Sequence, residues 1–143
     1  MMKNYKIKSI EGLSVFLDKL ICEYNEKNLS GETSYAYIYF LTVSNFSDHV
    51  VSLLGRKWIL QTASNQTSII EGEKIVSQTP TLFPGESFSY NSYHTILEST
   101  VATGILYGVD EYNEPIHIPV PRFVMSIPNL EGLKKKNEIH RSQ

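Results

Sequence analysis

The chain has 143 residues, 41% hydrophobic and 20% charged, so it can bury one full core and has no room for a second. Thirteen Lys and Arg against fifteen Asp and Glu leave a formal charge of -2, which removes the electrostatic case for nucleic acid or an anionic membrane. One cysteine, Cys22, excludes an internal disulfide and a cysteine-built metal cage, and fits a reducing compartment.

Residues 1 to 10 carry three lysines but no apolar stretch behind them, and the longest apolar run, Tyr35 to Leu41, is too short to span a bilayer. A cytoplasmic protein is expected. The three Asn-x-Ser/Thr sequons, at Asn28, Asn45 and Asn65, are then chance matches. Next, Leu13, Phe16, Leu17, Leu20, Ile21 and Tyr24 trace an amphipathic helix stripe. The same segment can also be read as a strand, with Leu13, Val15 and Leu17 sharing a face until Asp18 and Lys19 interrupt the alternation.

From residue 35 onward the pattern is β. Tyr35, Tyr37, Tyr39, Leu41 and Val43 alternate with Ala36, Ile38, Phe40 and Thr42, which suggests a central strand buried on both faces. Asn45 to Asp48 reads as a turn. Val50 to Leu54 and Arg56 to Leu60 are extended around Gly55, where a bulge is expected. Ala63 to Gln66 has turn chemistry, with Asn65 best able to take a left-handed conformation, and Thr67 to Glu71 should pair back as a hairpin. Pro84-Gly85 signals a type II turn before the alternating Glu86 to Ser92, with Phe88 and Tyr90 inward. Val101 to Val109, a polar hairpin at Asp110 to Glu114, and Ile116 to Ile127 complete the pattern. Pro119 and Pro121 cannot donate ladder hydrogen bonds, so the last strand should lie at an edge or break there. Many short strands at this spacing mean an all-β antiparallel sandwich or barrel.

Charge divides the chain. Residues 31 to 128 hold four cations (Arg56, Lys57, Lys74, Arg122) against nine carboxylates, a charge of -5, while both flanks are positive. Residues 1–30 read as an N-terminal segment packing on the domain, 31–128 as the sandwich, and 129–143 as a disordered basic tail. Lys134, Lys135, Lys136 and Arg141 are expected to be a solvated end.

Arg56-x-Trp58-x-Leu60, Gly72, Val76-Ser77-Gln78-x-Pro80-x-Leu82-x-Pro84-Gly85-Glu86-x-Phe88-x-Tyr90-x-Ser92, Gly104-x-x-Tyr107, Asp110-Glu111, and Ile118-Pro-Val-Pro-Arg-Phe123 with Pro128 resemble the ApaG family. The same domain ends some F-box proteins. The resemblance covers roughly residues 33 to 128 and implies an immunoglobulin or fibronectin type III-like β-sandwich whose first segment is a strand. It also implies an association with cobalt resistance and magnesium efflux, and an interaction or recognition role, with no catalytic residues to carry over.

Members of that family commonly have a G-x-G-x-x-G loop for which phosphate binding has been suggested. Here it reads Gly72-Glu-Lys-Ile-Val-Ser77, with Lys74 and Ser77 at two of the glycine positions. A glycine loop holds an anion through converging N–H groups, and the dinucleotide version needs a helix behind it, which a β context lacks. A structural connector is therefore the plainer reading. The sharper one makes Arg56, Gly72, Lys74, Ser77 and Arg122 a phosphate-like anion site. The plainer reading of Arg56 and Arg122 packs their stems beside Trp58 or pairs them with Glu71 or Glu86. His49, His94, His117 and His140 show no ligand spacing, so no metal site is expected, and Asp110, Glu111 and Glu114 read as a solvated turn. No serine has a nucleophile-elbow context and Cys22 lacks an identifiable base, so no catalytic residue and no cofactor is assigned. The expectation is a non-catalytic binding module, meeting an unknown protein partner or a second copy through sheet edges. Tyr35, Tyr37 and Tyr39 would be the interface if their face is not already core.

Overall fold

The computed structural model describes residues 7–25, 33–75 and 77–128. Alternating side chains build eight strands: β1 Leu13–Asn25, β2 Ser34–Asn45, β3 Val51–Thr62, β4 Thr67–Glu73, β5 Thr81–Leu82, β6 Ser87–Ile96, β7 Thr100–Val109 and β8 Pro115–Met125. They form two antiparallel sheets, one ordered β1-β2-β6, the other β4-β3-β7-β8 with β5 pairing β3 beyond the end of β4. The sheets pack face to face as a sandwich.

The core is aromatic at its centre. Trp58 of β3 lies 4.9 Å from Tyr39 of β2, 4.8 Å from His94 of β6 and 5.7 Å from Phe123 of β8, measured between ring centroids. Leu41, Val43, Leu53, Leu106, Ile116 and Met125 fill the space around them, each fully buried. Large rings facing each other across both sheets bury most area per residue, which a domain of this size needs.

The segment with two readings is strand β1. It pairs with β2 from Leu13↔Asn45 to Asn25↔Ser34, with a register shift between Leu17 and Lys19. Asp18 is the extra residue of that bulge. Inward positions therefore run Leu13, Val15, Leu17 and then, one step out of phase, Leu20 and Cys22. A strand interrupted by a bulge produces apolar spacings that imitate a helix. β1 is thus a full member of the sheet, and the sandwich extends N-terminal to residue 31. The tail, 129–143, lies outside the described residues.

β2 differs from its expectation. It is central in its sheet, but only the face of Tyr35, Tyr37, Tyr39, Leu41 and Val43 is buried; Ala36, Ile38, Phe40 and Thr42 are half-buried on a face that no second layer among the described residues covers. The turn read at Asp110 to Glu114 is not simply solvated, since Asp110 is buried and paired with Lys8, while other turn, bulge and edge expectations hold. Asn65 is left-handed (φ 65°), Gly85 takes φ 89° in its turn, and β3 shifts register between Leu53 and Gly55. β8 lies at its sheet's end, and its bulge opposite Ala102/Gly104 contains Pro121 and Arg122.

Candidate functional site

β4 has only β3 as a ladder partner, so one row of its backbone N–H and C=O groups is unpaired among the described residues. Thr67 to Glu71 are all exposed, including Ile69 (60%) and Ile70 (40%). No proline, lysine or bulge interrupts the strand, the devices by which edges are usually blunted. Glu71 is partly engaged sideways, with Lys57 Nζ 3.5 Å from its Oε1.

The tip of this edge gathers three of the five residues read as an anion site. Arg56 and Gly72 are register partners, and a Cβ on Gly72 would come within 2.5 Å of Arg56 Nη1, so the guanidinium lies where a side chain would otherwise be. From there Arg56 Nη1 donates to the carbonyl oxygens of Glu73 (3.2 Å) and Lys74 (2.8 Å). Lys74 follows at φ 68°, a left-handed conformation that costs a side-chain-bearing residue about 1 kcal/mol or more. Ser77 is exposed in the loop beyond. The arginine thus pairs with backbone rather than with Glu71 or Glu86; the latter instead accepts from the Phe83 amide at 2.7 Å.

Arg122 does not join them. It lies on β8, two strands from β3, and four residues beyond Ile118, whose β7 partner Leu106 faces Arg56. That is about 10 Å across the sheet and about 13 Å along it. The tyrosine interface is also corrected: Tyr35, Tyr37 and Tyr39 are 3%, 9% and 2% exposed. Their rings are needed by the core, and Tyr37 Oη is bound inward to the Ser126 carbonyl.

Sequence reading missed a second constellation, because its members stand some 60 positions apart. His49, Asp110 and Glu111 each place a potential ligand atom within 4.8 Å of the others. Glu111 accepts from His49 Nδ1 at 2.7 Å and from the Val50 amide at 3.1 Å; its own backbone amide first, then His49 and Val50, pull its carboxyl below the usual range. Asp110, its side chain fully enclosed, accepts from the Tyr112 and Glu114 amides and faces the Lys8 ammonium at 2.7 Å. Lys8 holds the Asp110 carboxyl low, and the two carboxylates, Asp110 and Glu114, raise Lys8. The positive charge at this carboxylate comes from the chain itself. Asn45, fully buried, donates from Nδ2 to the His49 and Leu82 carbonyls, so its sequon is closed to glycosylation.

Two antiparallel sheets around an aromatic core, with an open edge strand and pinned end loops, place the chain among β-sandwich proteins. Among the described residues no helix is long and apolar enough to cross a membrane. The ApaG domain family matches residues 25–109, well over half of the chain. The chain belongs to that family. It is 34% identical over 98 residues to protein ApaG of Sodalis glossinidius, covering 67% of this chain and 78% of the relative. To protein ApaG of Shewanella pealeana it is 31% identical over 121 residues, covering 82% and 94%. Among solved structures, the putative ApaA protein of Bordetella pertussis superposes with a TM-score of 0.67 over 87% of this chain and 99% of that one, at 22% identity. An X-ray structure of a structural-genomics target superposes with a TM-score of 0.70 at 25% identity, over 83% and 89% of the two chains.

Proposed function

We propose that the protein is a non-catalytic interaction module that receives an extended segment of a partner protein on β4. The observation that supports this is the unpaired backbone row of Thr67–Glu73 beside exposed Ile69 and Ile70. An added strand would gain main-chain hydrogen bonds along the row, while the isoleucines offer apolar contact on both faces of the sheet. A cytoplasmic setting fits the single free cysteine, and a role in divalent-cation homeostasis rests on family resemblance.

Tagged wild type and an Ile69→Lys/Thr67→Pro variant, matched in thermal melting, would be compared for proteins co-purified from the native cell. Lysine and proline at the edge should remove the captured partner. Equal capture by both would sink the reading, and light scattering would show whether that partner is a second copy.

The second reading is a phosphate-like anion at the tip, supported by the gathering of Arg56, Gly72 and Lys74. Two of Arg56's donor contacts already go to carbonyl groups, which weakens it. Titration with pyrophosphate should move the amide resonances of Glu73 to Ser77, and unmoved resonances at millimolar ligand eliminate the site.

A further inference from the structure

At the other half of β3, the chain's loops converge on one end of the sandwich. β1 begins there opposite Asn45, β6 begins beside Ser44, β5 pairs Val51, and the β7–β8 turn leaves beside Ser52. Three adjoining loops each expose a large ring to water: Phe46 at 70%, Phe83 at 57% and Tyr112 at 71%. Three large rings on adjoining loops at one end offer apolar surface that a partner could cover.

The loops carrying these rings are fixed. The Phe46 amide donates to the Gly12 carbonyl at 2.8 Å, the Asn45 side chain ties the loops of His49 and Leu82, and Glu111 ties the β7–β8 turn to His49 and Val50. Asp110 holds the turn under Tyr112 through its amide. A preorganised loop set loses little freedom on binding, and aromatic side chains on such loops supply most of the energy at protein interfaces.

Charge identifies the occupant. Among the described residues, Glu11, Asp48, Glu86, Asp110, Glu111 and Glu114 stand at this end against the ammonium of Lys8, a balance of -5. An open concavity between residues 8–12 and 46–49 is lined by Lys8, Glu11, Phe46, Asp48 and His49; Lys8 is engaged by Asp110 and Glu114, which leaves Glu11 and Asp48 as the carboxylates beside the exposed ring. A ring face flanked by carboxylates suits an ammonium or guanidinium group, through cation–π attraction and ion pairing together. We propose that this end docks a lysine- or arginine-bearing segment of a partner protein, seated against Phe46 between Glu11 and Asp48 and extending over Tyr112 and Phe83. The spread of three rings over three loops favours a polypeptide over a small free cation, because one cation covers only one ring. The surface is separate from the β4 edge and stands without it.

The test is fluorescence anisotropy with a labelled peptide alternating arginine and leucine, its glutamate–leucine counterpart, and spermidine as competitor. The arginine peptide should bind, the glutamate peptide should not, and affinity should fall as salt rises. Phe46→Ala with Tyr112→Ala should weaken binding about tenfold, matching the loss of one or two cation–π contacts. Glu11→Gln with Asp48→Asn should do the same, whereas Phe16→Ala, an exposed ring on β1, should change nothing. Should Phe46→Ala impair folding, Phe46→Leu keeps apolar bulk while removing the π face. No binding at millimolar peptide, or binding indifferent to the ring substitutions, overturns the proposal. Spermidine competing at equal affinity would overturn the choice of a polypeptide.

Discussion

At the scale of single residues, Lys74 shows how local strain and the candidate site are linked. Its φ of 68° is the conformation glycine tolerates. The left-handed backbone costs lysine about 1 to 2 kcal/mol, and glycine's extra freedom in the unfolded chain offsets about 0.5 to 1 of the gain from replacing it. Lys74→Gly should therefore stabilise the protein by about 0.5 to 1 kcal/mol in urea unfolding, and Lys74→Val should destabilise it. The reverse order would mean that the loop is held by the lysine side chain rather than bent against it. Ser77 and Arg122 carry no such information, since both are exposed and Arg122 lies two strands away from Arg56.

At the scale of elements, the bulge in β1 decides which residues enter the core. Asp18 occupies the extra position, its carboxylate accepting from Thr42 Oγ1, and allows Leu13, Val15 and Leu17 to face inward together with Leu20 and Cys22. Deleting Asp18 puts the two halves of the strand in conflict, so either set must turn outward. Turning the first set out exposes three aliphatic side chains at about 1.5 to 3 kcal/mol each, and turning the second out exposes Leu20 and Cys22; either loss is a large part of a domain's whole stability of about 5 to 15 kcal/mol. The deletion should leave a chain without a cooperative thermal transition by circular dichroism. A native-like transition would show that β1 contributes less than its burial implies. β4 is the opposite case, an element whose side chains are mostly outside and whose substitution should scarcely move the melting temperature.

At the scale of the whole molecule, His94 sits where both sheets meet, against Tyr39, Trp58 and Phe123, with Nε2 buried and unpartnered. Burial pushes its pKa down to about 4 from an ordinary 6.5. The folded protein therefore keeps the imidazole neutral where the unfolded chain would protonate it. Stability is at its full value above about pH 6.5 and is lost as pH falls toward 4, by about 3 kcal/mol in total. Urea midpoints measured from pH 7.5 to 4 should fall across that window, and His94→Phe should flatten the slope. Equal slopes in the two proteins would assign acid sensitivity to the carboxylates alone, Asp110 among them.

Alternation of residues from Tyr35 to Ile127, the turn at Pro84-Gly85, the left-handed Asn65 and the edge placement of a proline-bearing β8 were legible in sequence, because each is a local rule of backbone and pleat. What lay beyond it was pairing between distant segments. Whether residues 13 to 24 were strand or helix depended on a bulge that only β2 could register. Whether the tyrosines faced water depended on a sheet supplied by β3, β7 and β8. The gathering of Arg56 with Lys74 but not Arg122, and of His49 with Asp110 and Glu111, followed from strand order, which no local pattern encodes. One-dimensional periodicity sets which face of a strand is apolar; only the tertiary arrangement sets which surfaces that face meets and which are left open to other molecules.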